Sequence, residues 1–418
     1  MLIIGIDDTD SERGFCTTYL AAVLIERLRA SGYHTGAPKL VRLNPCARYK
    51  TRGNAAIAIP VEAEDTDRIG QIALDALLEL SDLSGINTNP GLVIADRITG
   101  EMKRFYRRAV TEILEIEDAR RILSSEGIWH RGFKNQRGLI GALAAVGSEF
   151  DEFTYELIAY RRRELWGTPR ILDEDSIWDA DRATYPATWD TVDYSNRRVV
   201  FSPHSPDPVL FGIRGDDPEA IRRAFSMIRS EAPEGCVMYI TNQGTDAHII
   251  DMRDNKSCDL HDDRSYRLRG SVAGEPRVIE GGHVFFPIDL GERNIECAAF
   301  EPTKCFRKIV RSLIPGDLIE VYGSMKSGTL NLEKIDIISL EKQRSSRPPL
   351  CSCGRRMKSA GSGQGYRCRR CKTRSMKAEI VELPRDIEDG LYEVPPSARR
   401  HLAKPLVRMR DPRAHPSR

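Results

Sequence analysis

Four cysteines near the C-terminal end constrain the fold of this chain more than any other feature. Cys351 and Cys353 are separated by one residue, and after fourteen further residues come Cys368 and Cys371, which are separated by two. Two close cysteine pairs at this distance predict a tetrahedral zinc site with four thiolate ligands, and such a closed site is structural. Zinc knuckles usually have two or more residues between paired cysteines, so the first turn has to differ. We expect a zinc ribbon over residues 345–380.

Basic residues surround these cysteines and dominate the C-terminal end of the chain. Residues 341–418 carry 20 Lys and Arg against 8 Asp and Glu, a net charge of +12, whereas the whole chain of 418 residues carries +2. The contrast between this basic end and the acidic remainder of the chain favours a polyanionic partner at the C-terminal end. The alternative is a basic terminus that is only solvated. Tyr366 offers a face for base stacking, so the ribbon is expected to contact nucleic acid. Prolines are frequent after residue 380, and we expect residues 381–418 to form a partly ordered basic arm.

The chain is long enough for several domains, at about 100–200 residues for each. No apolar run approaches the ~18–20 residues of a membrane span. The N-terminal residues lack the basic head of a signal peptide, so we expect a cytoplasmic protein without membrane contact.

Three patterns precede the ribbon and predict a multidomain α/β plus α+β fold. Residues 1–125 alternate strands and helices, with strands over 2–6, 55–61 and 91–96 and helices from Thr17 and over 67–80 and 108–123. Residues 126–260 mix helices and strands in a way that suggests a ferredoxin-like α+β domain. Residues 265–340 contain five short strands with a helix between the third and fourth, which is the order of an OB-fold barrel.

An acidic loop follows the first strand. That strand is a continuous apolar run, which predicts a buried parallel strand, and Asp7, Asp8 and Asp10 come directly after it. Carboxylates at such a strand end, close to a helix that begins near Thr17 and Thr18, favour magnesium with a triphosphate. The alternative is an acidic turn that only caps the helix, and this alternative is stronger for Asp10 than for the adjacent pair.

Basic and amide side chains at two further turns could contact the same nucleotide. Lys50, Arg52, Gly53 and Asn54 precede a strand and suit a phosphate or a nucleobase, although a plain loop explains them equally well. Arg137 belongs to a polar turn that leads into a helix of small residues. The chain has neither a Walker nor a Rossmann fingerprint, so any ATP site has to be unconventional.

Taken together, several short motifs resemble a known family. They are Ile-Gly-Ile-Asp-Asp-Thr-Asp at 4–10, Cys16-Thr17-Thr18, Lys-Thr-Arg-Gly-Asn at 50–54, Asn89-Pro90-Gly91 and Arg-Gly-Leu-Ile-Gly-Ala at 137–142, followed by the barrel and ribbon segments. This combination resembles the archaeal 2-agmatinylcytidine synthetases of isoleucine tRNA. The resemblance implies a kinase-like domain over 1–125, then the ferredoxin-like, OB-fold and zinc-ribbon domains.

The resemblance also implies a reaction and the residues that take part in it. The reaction is the conjugation of agmatine to C2 of the wobble cytidine in the CAU anticodon of isoleucine tRNA, through phosphoryl activation of the base, with ATP converted to AMP and diphosphate. The modified tRNA then reads AUA. Thr18 matches the threonine that the family autophosphorylates, and Asp7 and Asp8 match the acidic residues beside magnesium and the triphosphate. Agmatine is dicationic and should need a carboxylate-lined site, which the sequence does not identify.

A protein of a different class remains as the alternative. In that interpretation a barrel and a zinc ribbon hold nucleic acid without catalysis, and the N-terminal domain is an interaction scaffold. Asp7, Asp8 and Thr18 separate the two hypotheses, because only an enzyme needs them.

Overall fold

A single sheet of ten strands dominates the N-terminal half of the computed structural model, which describes residues 1–49, 53–254 and 259–418. The strands of residues 1–241 are β1 (Leu2–Asp7), β2 (His34–Thr35), β3 (Lys39–Arg42), β4 (Ala55–Glu62), β5 (Gly91–Ala95), β6 (Trp129–Gly132), β7 (Thr154–Tyr160), β8 (Thr188–Trp189), β9 (Val192–Asp193), β10 (Arg198–Val199), β11 (Val209–Gly215) and β12 (Gly235–Thr241). All except β9 and β10, which pair with each other, belong to this main sheet. The helices of the same region are α1 (Thr17–Ala30), α2 (Thr66–Glu79), α3 (Gly100–Thr111), α4 (Ile116–Ser125), α5 (Gly138–Val146), α6 (Glu174–Thr184) and α7 (Pro218–Met227).

The sequence predicts that the first strand is parallel to its neighbours, and this prediction is wrong. β1 pairs antiparallel with β4 on one side and with β5 on the other. Its continuous apolar run reflects burial on both faces and carries no information on strand direction.

The two faces of the sheet bury different helices. Ile57 and Ile59 of β4 join the core formed with α1 and α2, whereas the alternate residues Ala56 and Ala58 join the core formed with α3, α4 and α5. Leu20, Leu24 and Leu28 of α1 are fully buried, as the helical stripe in the sequence predicts. The side chains on the second face are small, and α5 therefore lies close to the sheet: a Cβ on Gly91 would be 2.1 Å from the Gly138 carbonyl carbon.

The main sheet crosses the expected domain boundary between residues 125 and 126. β6 and α5 pack with the N-terminal strands, and β7, β8, β11 and β12 extend the same sheet. The junction is the parallel pairing of β12 with β3, at Ile240 opposite Lys39 and Thr241 opposite Leu40.

The helix expected over 108–123 is two helices, α3 and α4. Glu112, which ends α3, and Glu115, which precedes α4, are both extended. The break lets each helix turn its apolar side to α5, and Leu114 between them is buried. The acidic residues Glu117 and Asp118 in the first turn of α4 are typical of a helix start.

Residues 249–339 contain a closed five-stranded barrel. Strand β13 (Ile249–Asp251) precedes the barrel. The elements that follow it are β14 (Ser265–Val272), β15 (Arg277–Val278), β16 (Val284–Asp289), β17 (Asn294–Ala299), α8 (Phe306–Arg311), β18 (Leu318–Lys326) and β19 (Thr329–Ser339). The barrel closes in the order β14, β16, β17, β19, β18 and back to β14. α8 lies between the third and fourth barrel strands, where the sequence predicts a helix.

The last part of the chain consists of a small cysteine-rich unit and a packed C-terminal segment. Its strands are β20 (Arg344–Arg347), β21 (Lys358–Ser359), β22 (Tyr366–Arg367), β23 (Arg374–Ser375), β24 (Glu379–Glu382), β25 (Gly390–Glu393) and β26 (Ala414–His415). β25 pairs with the barrel strand β19, and β26 pairs with β25.

The sequence predicts a partly ordered arm over residues 381–418. Residues 390–418 are instead packed against the barrel, and we call them the C-terminal strap. Leu402 and Leu406 are 1% exposed. The side chain of Arg399 is also buried, in ion pairs with Asp190 and Glu393. Two further basic residues of the strap also form ion pairs with carboxylates from other parts of the fold, Arg400 with Glu333 and Arg408 with Glu152. Within the described residues, no helix combines the length and apolar character that crossing a bilayer requires.

Candidate active site

A cavity of about 470 Å³ lies where the main sheet, the α3–α4 break and the loop before the barrel meet. Its lining comes from five segments distant in sequence: Asp7, Asp8, Asp10 and Thr17; Leu43, Asn44, Ala47, Arg48, Tyr49, Asn54 and Ala55; Ala109, Glu112, Ile113, Leu114, Glu115 and Ile116; Asn135, Arg137, Ile140 and Gly141; and Asp263. The cavity therefore brings together most of the described residues that the sequence singled out in its first 140 positions.

Asp7 and Asp8 form the acidic end of the cavity. Asp7 ends β1, and Asp8 has a left-handed backbone with φ of 56°. The Asp7 carboxylate lies on α5 at Gly141, where any Cβ would be 1.9 Å from its Oδ2 atom. Burial raises the pKa of Asp7 well above its usual range, and the charge of Asp8 adds to this. Two adjacent carboxylates in such a place favour a cation, and their hard oxygen atoms fit magnesium.

Arg137 holds Asp8 in place. Its Nη2 and Nε atoms lie 2.9 and 3.1 Å from Asp8 Oδ2, and Nη2 also donates to the Asn87 carbonyl at 3.0 Å. Burial raises the pKa of Asp8 to about 6, and the guanidinium of Arg137 limits this increase. The same guanidinium lies 5.3 Å from the ring centre of Tyr49. Arg137 thus connects the acidic end of the cavity with the aromatic residue at its side.

Asp10 caps α1, as expected if the acidic turn serves to cap the helix. Its Oδ1 atom accepts hydrogen bonds from the Thr17 backbone N–H at 2.7 Å and from the Thr17 hydroxyl at 3.2 Å. The Thr17 hydroxyl in turn accepts one from Thr9 at 2.9 Å. Asp10 and Thr17 nevertheless both line the cavity, so the cap and the acidic end are one structure.

The remaining predicted residues are placed less directly. Thr18 is absent from the described lining, and its Oγ1 atom lies 3.1 Å from Cys16 Sγ. Asn54 lines the cavity and donates from Nδ2 to the Asn44 carbonyl. Gly53 packs against Arg42, whose Nη1 atom would be 2.3 Å from a Cβ. Lys50 and Arg52 lie outside the described residues.

Sequence reasoning missed three further carboxylates of the cavity lining, which we call the acidic wall. Glu112 and Glu115 come from the break between α3 and α4, and Asp263 comes from the loop before β14. Arg264 lies 3.5 Å from Glu112, and Arg48 lies 3.3 Å from Asp263, so these pairs connect the barrel loop to the N-terminal region. The acidic start of α4 was the only signal in the sequence, and nothing near Asp263 relates it to this wall.

The four cysteines meet in a second site, remote from the cavity in sequence. Their sulfur atoms all lie within 4.8 Å of one another, with 3.3 Å between Cys351 and Cys371 and 3.5 Å between Cys353 and Cys368. This donor set fits one tetrahedral zinc ion. The short first pair is accommodated by a turn in which Gly354 has φ of 81°.

The family of the chain follows from comparison with known proteins. Family models described as the TiaS TCKD domain, the TiaS FLD domain and the TiaS C-terminal zinc ribbon domain match residues 3–81, 136–248 and 348–387. An isoleucine-tRNA 2-agmatinylcytidine synthetase TiaS from Methanosarcina mazei is 50% identical over 431 aligned residues that cover all of both chains. The chain belongs to the TiaS family.

Solved TiaS structures share the whole fold. A crystal structure of TiaS in complex with its isoleucine tRNA and ATP is 46% identical to this chain, with a TM-score of 0.93, and the match covers 100% of this chain and 99% of that one. A complex of TiaS with the same tRNA, AMPCPP and agmatine is 43% identical, with a TM-score of 0.90 and the same coverage. The family resemblance of the sequence motifs is thereby confirmed.

Proposed function

We propose that the protein conjugates agmatine to C2 of the wobble cytidine in the CAU anticodon of isoleucine tRNA, with the use of ATP. The observation that carries this proposal is one cavity lined both by the partly buried pair Asp7 and Asp8 and by the carboxylates of the acidic wall. The names of the relatives, and the TiaS crystals with isoleucine tRNA, ATP, AMPCPP and agmatine, support it.

Asp7 and Asp8 are the proposed ligands of magnesium at the triphosphate. When bound, magnesium supplies positive charge that stabilises the transferring phosphoryl group. Arg137 keeps the Asp8 carboxylate oriented through its two N–H groups. Thr18 is the proposed phosphorylated threonine, next to the cavity-lining Thr17. Lys50, Arg52, Gly53 and Asn54 are proposed to border the phosphates.

The chemistry requires the wobble base inside the cavity. The C2 oxygen of cytosine is a poor leaving group, and a phosphoryl group on this oxygen lets an amine form the new C–N bond while phosphate departs with the C–O electron pair. The base has to leave its stack, at a cost of a few kcal/mol. Tyr49, whose side chain is 70% exposed, is a proposed stacking face for it.

The acidic wall is the proposed place for agmatine. Glu112, Glu115 and Asp263 line the same cavity as the aspartate pair, and a dicationic amine is attracted by such carboxylates.

The barrel and the cysteine-rich unit are the proposed binding surfaces for the rest of the tRNA. In this division, residues 1–125 form a kinase-like domain, 126–260 a ferredoxin-like domain, 265–340 an OB-fold domain and 345–380 a zinc ribbon. Residues 345–380 carry 10 Lys and Arg against one Glu, and this excess of positive charge in the cysteine-rich unit favours contact with phosphates.

The direct test measures transfer of radiolabelled agmatine to an isoleucine tRNA transcript in the presence of ATP and magnesium. Asp7→Asn and Asp8→Asn are expected to reduce the rate by more than about 100-fold and to leave tRNA affinity within a few-fold. Asp96→Asn is the matched control, because Asp96 is an exposed aspartate that follows the neighbouring strand β5.

Two outcomes would contradict the proposal. Wild-type protein that binds the tRNA but transfers no agmatine would favour the non-catalytic nucleic-acid-binding alternative. An equal loss of rate in Asp96→Asn would remove the assigned role of the aspartate pair.

A further inference from the structure

Two tyrosines from the second half of the main sheet meet the first turn of α1. The hydroxyl of Tyr160, the last residue of β7, lies 2.9 Å from the Thr18 carbonyl oxygen, and the hydroxyl of Tyr239 in β12 lies 3.0 Å from the same atom. The two hydroxyls are 3.0 Å apart. Both side chains belong to the core that contains α1, where they are 2% and 0% exposed.

The two hydroxyls are well suited to hold this carbonyl. Burial raises the pKa of both phenols above the usual range, and for Tyr160 the neighbouring Tyr239 adds to the increase. Each hydroxyl therefore keeps its proton and remains a donor at any working pH. A buried donor requires an acceptor, and the Thr18 carbonyl is the backbone acceptor that both hydroxyls reach.

The same turn carries the threonines next to the aspartates. The Thr17 backbone N–H and hydroxyl of this turn both donate to Asp10. The turn is thus held by the acidic loop and by two strands that follow it in the chain by more than 130 residues. A displacement of ~1 Å caused by a substitution away from the reacting atoms can reduce a rate by about 100-fold.

We propose that Tyr160 and Tyr239 are positioning residues for the ATP-dependent step. Their hydroxyls hold the Thr17–Thr18 turn at the distance from Asp7 and Asp8 that phosphoryl transfer needs. This inference rests on the proposed function and extends it, because it makes the second half of the main sheet a support of the nucleotide site.

The test compares Tyr160→Phe, Tyr239→Phe and the double variant in the agmatine transfer assay. Tyr19→Phe is the matched control. Tyr19 lies in α1 with its ring 5.5 Å from that of Tyr160, but its hydroxyl donates to Glu234 at 3.1 Å instead of to Thr18. For each variant, kcat, the KM for ATP, the KM for agmatine, tRNA affinity and the thermal midpoint are measured.

We expect kcat to fall about five-fold in each single variant and about 30-fold or more in the double variant, with the KM for agmatine and tRNA affinity within two-fold. Tyr19→Phe should keep kcat within two-fold. A purely structural role would lower the thermal midpoint and leave kcat of the folded enzyme unchanged, and this result would overturn the inference.

Four further outcomes bear on the inference. An equal loss of kcat in Tyr19→Phe would also overturn the inference, because it would show a general effect of the tyrosine cluster. If the double variant does not fold, the kcat values of the two single variants decide. If wild-type protein transfers no agmatine, the proposed function itself fails, whereas an active wild type with unaffected variants rejects only the positioning role.

Discussion

Gly141 lies directly under the carboxylate of Asp7, and its missing side chain creates the space that Asp7 occupies. We expect Gly141→Ala to displace this carboxylate, because the added Cβ would be 1.9 Å from its Oδ2 atom. Displacement of a proposed magnesium ligand should lower agmatine transfer by about 100-fold, as removal of a charge-stabilising group does elsewhere. Transfer rate and tRNA affinity are measured together, and the affinity should stay within two-fold.

Gly100→Ala is the control for this variant. Gly100 is also a helical glycine, in the first turn of α3, and its added Cβ would be 3.5 Å from Arg104 Nη1, an ordinary contact. Equal activity of the two variants would show that Asp7 tolerates displacement and would contradict its assigned role.

Individual residues of the site could be predicted where chemistry is local in the sequence. Asp7 and Asp8 are adjacent, so their mutual repulsion and need for a cation are visible without a structure. Arg137 was recognisable as a donor, but its bond to Asp8 depends on the packing of α5. Tyr49 and Asp263 carry no local signal, because their importance comes from lying at one cavity that distant segments form.

At the scale of elements, the break between α3 and α4 forms one wall of the cavity. A continuous helix over 108–123 would have no Glu112–Glu115 link, and the acidic wall would be lost. Period and composition predict such helices well when one stripe is apolar, as in α1. They do not locate a break between two apolar stripes that both pack on α5, because the apolar residues continue across the break.

A variant of Glu115, at the break between α3 and α4, tests the proposed agmatine site. We expect Glu115→Gln to raise the KM for agmatine about two- to five-fold and to leave the KM for ATP unchanged, since an exposed ion pair contributes about 0.3–1 kcal/mol. The measurement is steady-state transfer with agmatine varied at saturating ATP and tRNA.

Glu117→Gln in the first turn of α4 is the matched control. Glu117 is exposed and does not line the cavity within the described residues. A KM for agmatine that rises equally in both variants would indicate a general loss of negative charge and not a binding wall.

At the scale of the whole molecule, the order of folding units follows from the sequence, but their connections do not. The barrel strands and the cysteine-rich unit are recognisable because each has its own local pattern. The joining of β12 to β3 and the packing of the C-terminal strap depend on contacts between residues more than 200 positions apart. Prolines and arginines in the strap suggested disorder, because the carboxylates that pair with these arginines lie elsewhere in the chain.

Glu333 shows how the barrel, the strap and the segment after β12 depend on one another. Its Oε2 atom lies 3.0 Å from His248 Nε2, and its Oε1 atom lies 3.2 Å from Arg400 Nη1 of the strap. Burial alone would raise the pKa of Glu333, but the nearby cationic groups lower it to about 2, from the usual 4.5. Because the folded-state pKa is lowered, the stabilisation is complete above about pH 4.5 and is lost as the pH falls towards 2.

We therefore expect the free energy of unfolding of Glu333→Gln to be about 3 kcal/mol lower than that of the wild type at pH 7. Urea unfolding at several pH values between 7 and 3.5 should show this difference narrowing below about pH 5. Glu292→Gln, in an exposed barrel loop, should follow the wild type throughout. A difference that stays constant with pH would mean that Glu333 stabilises the junction by packing alone, and that its charge does not connect the barrel to the strap.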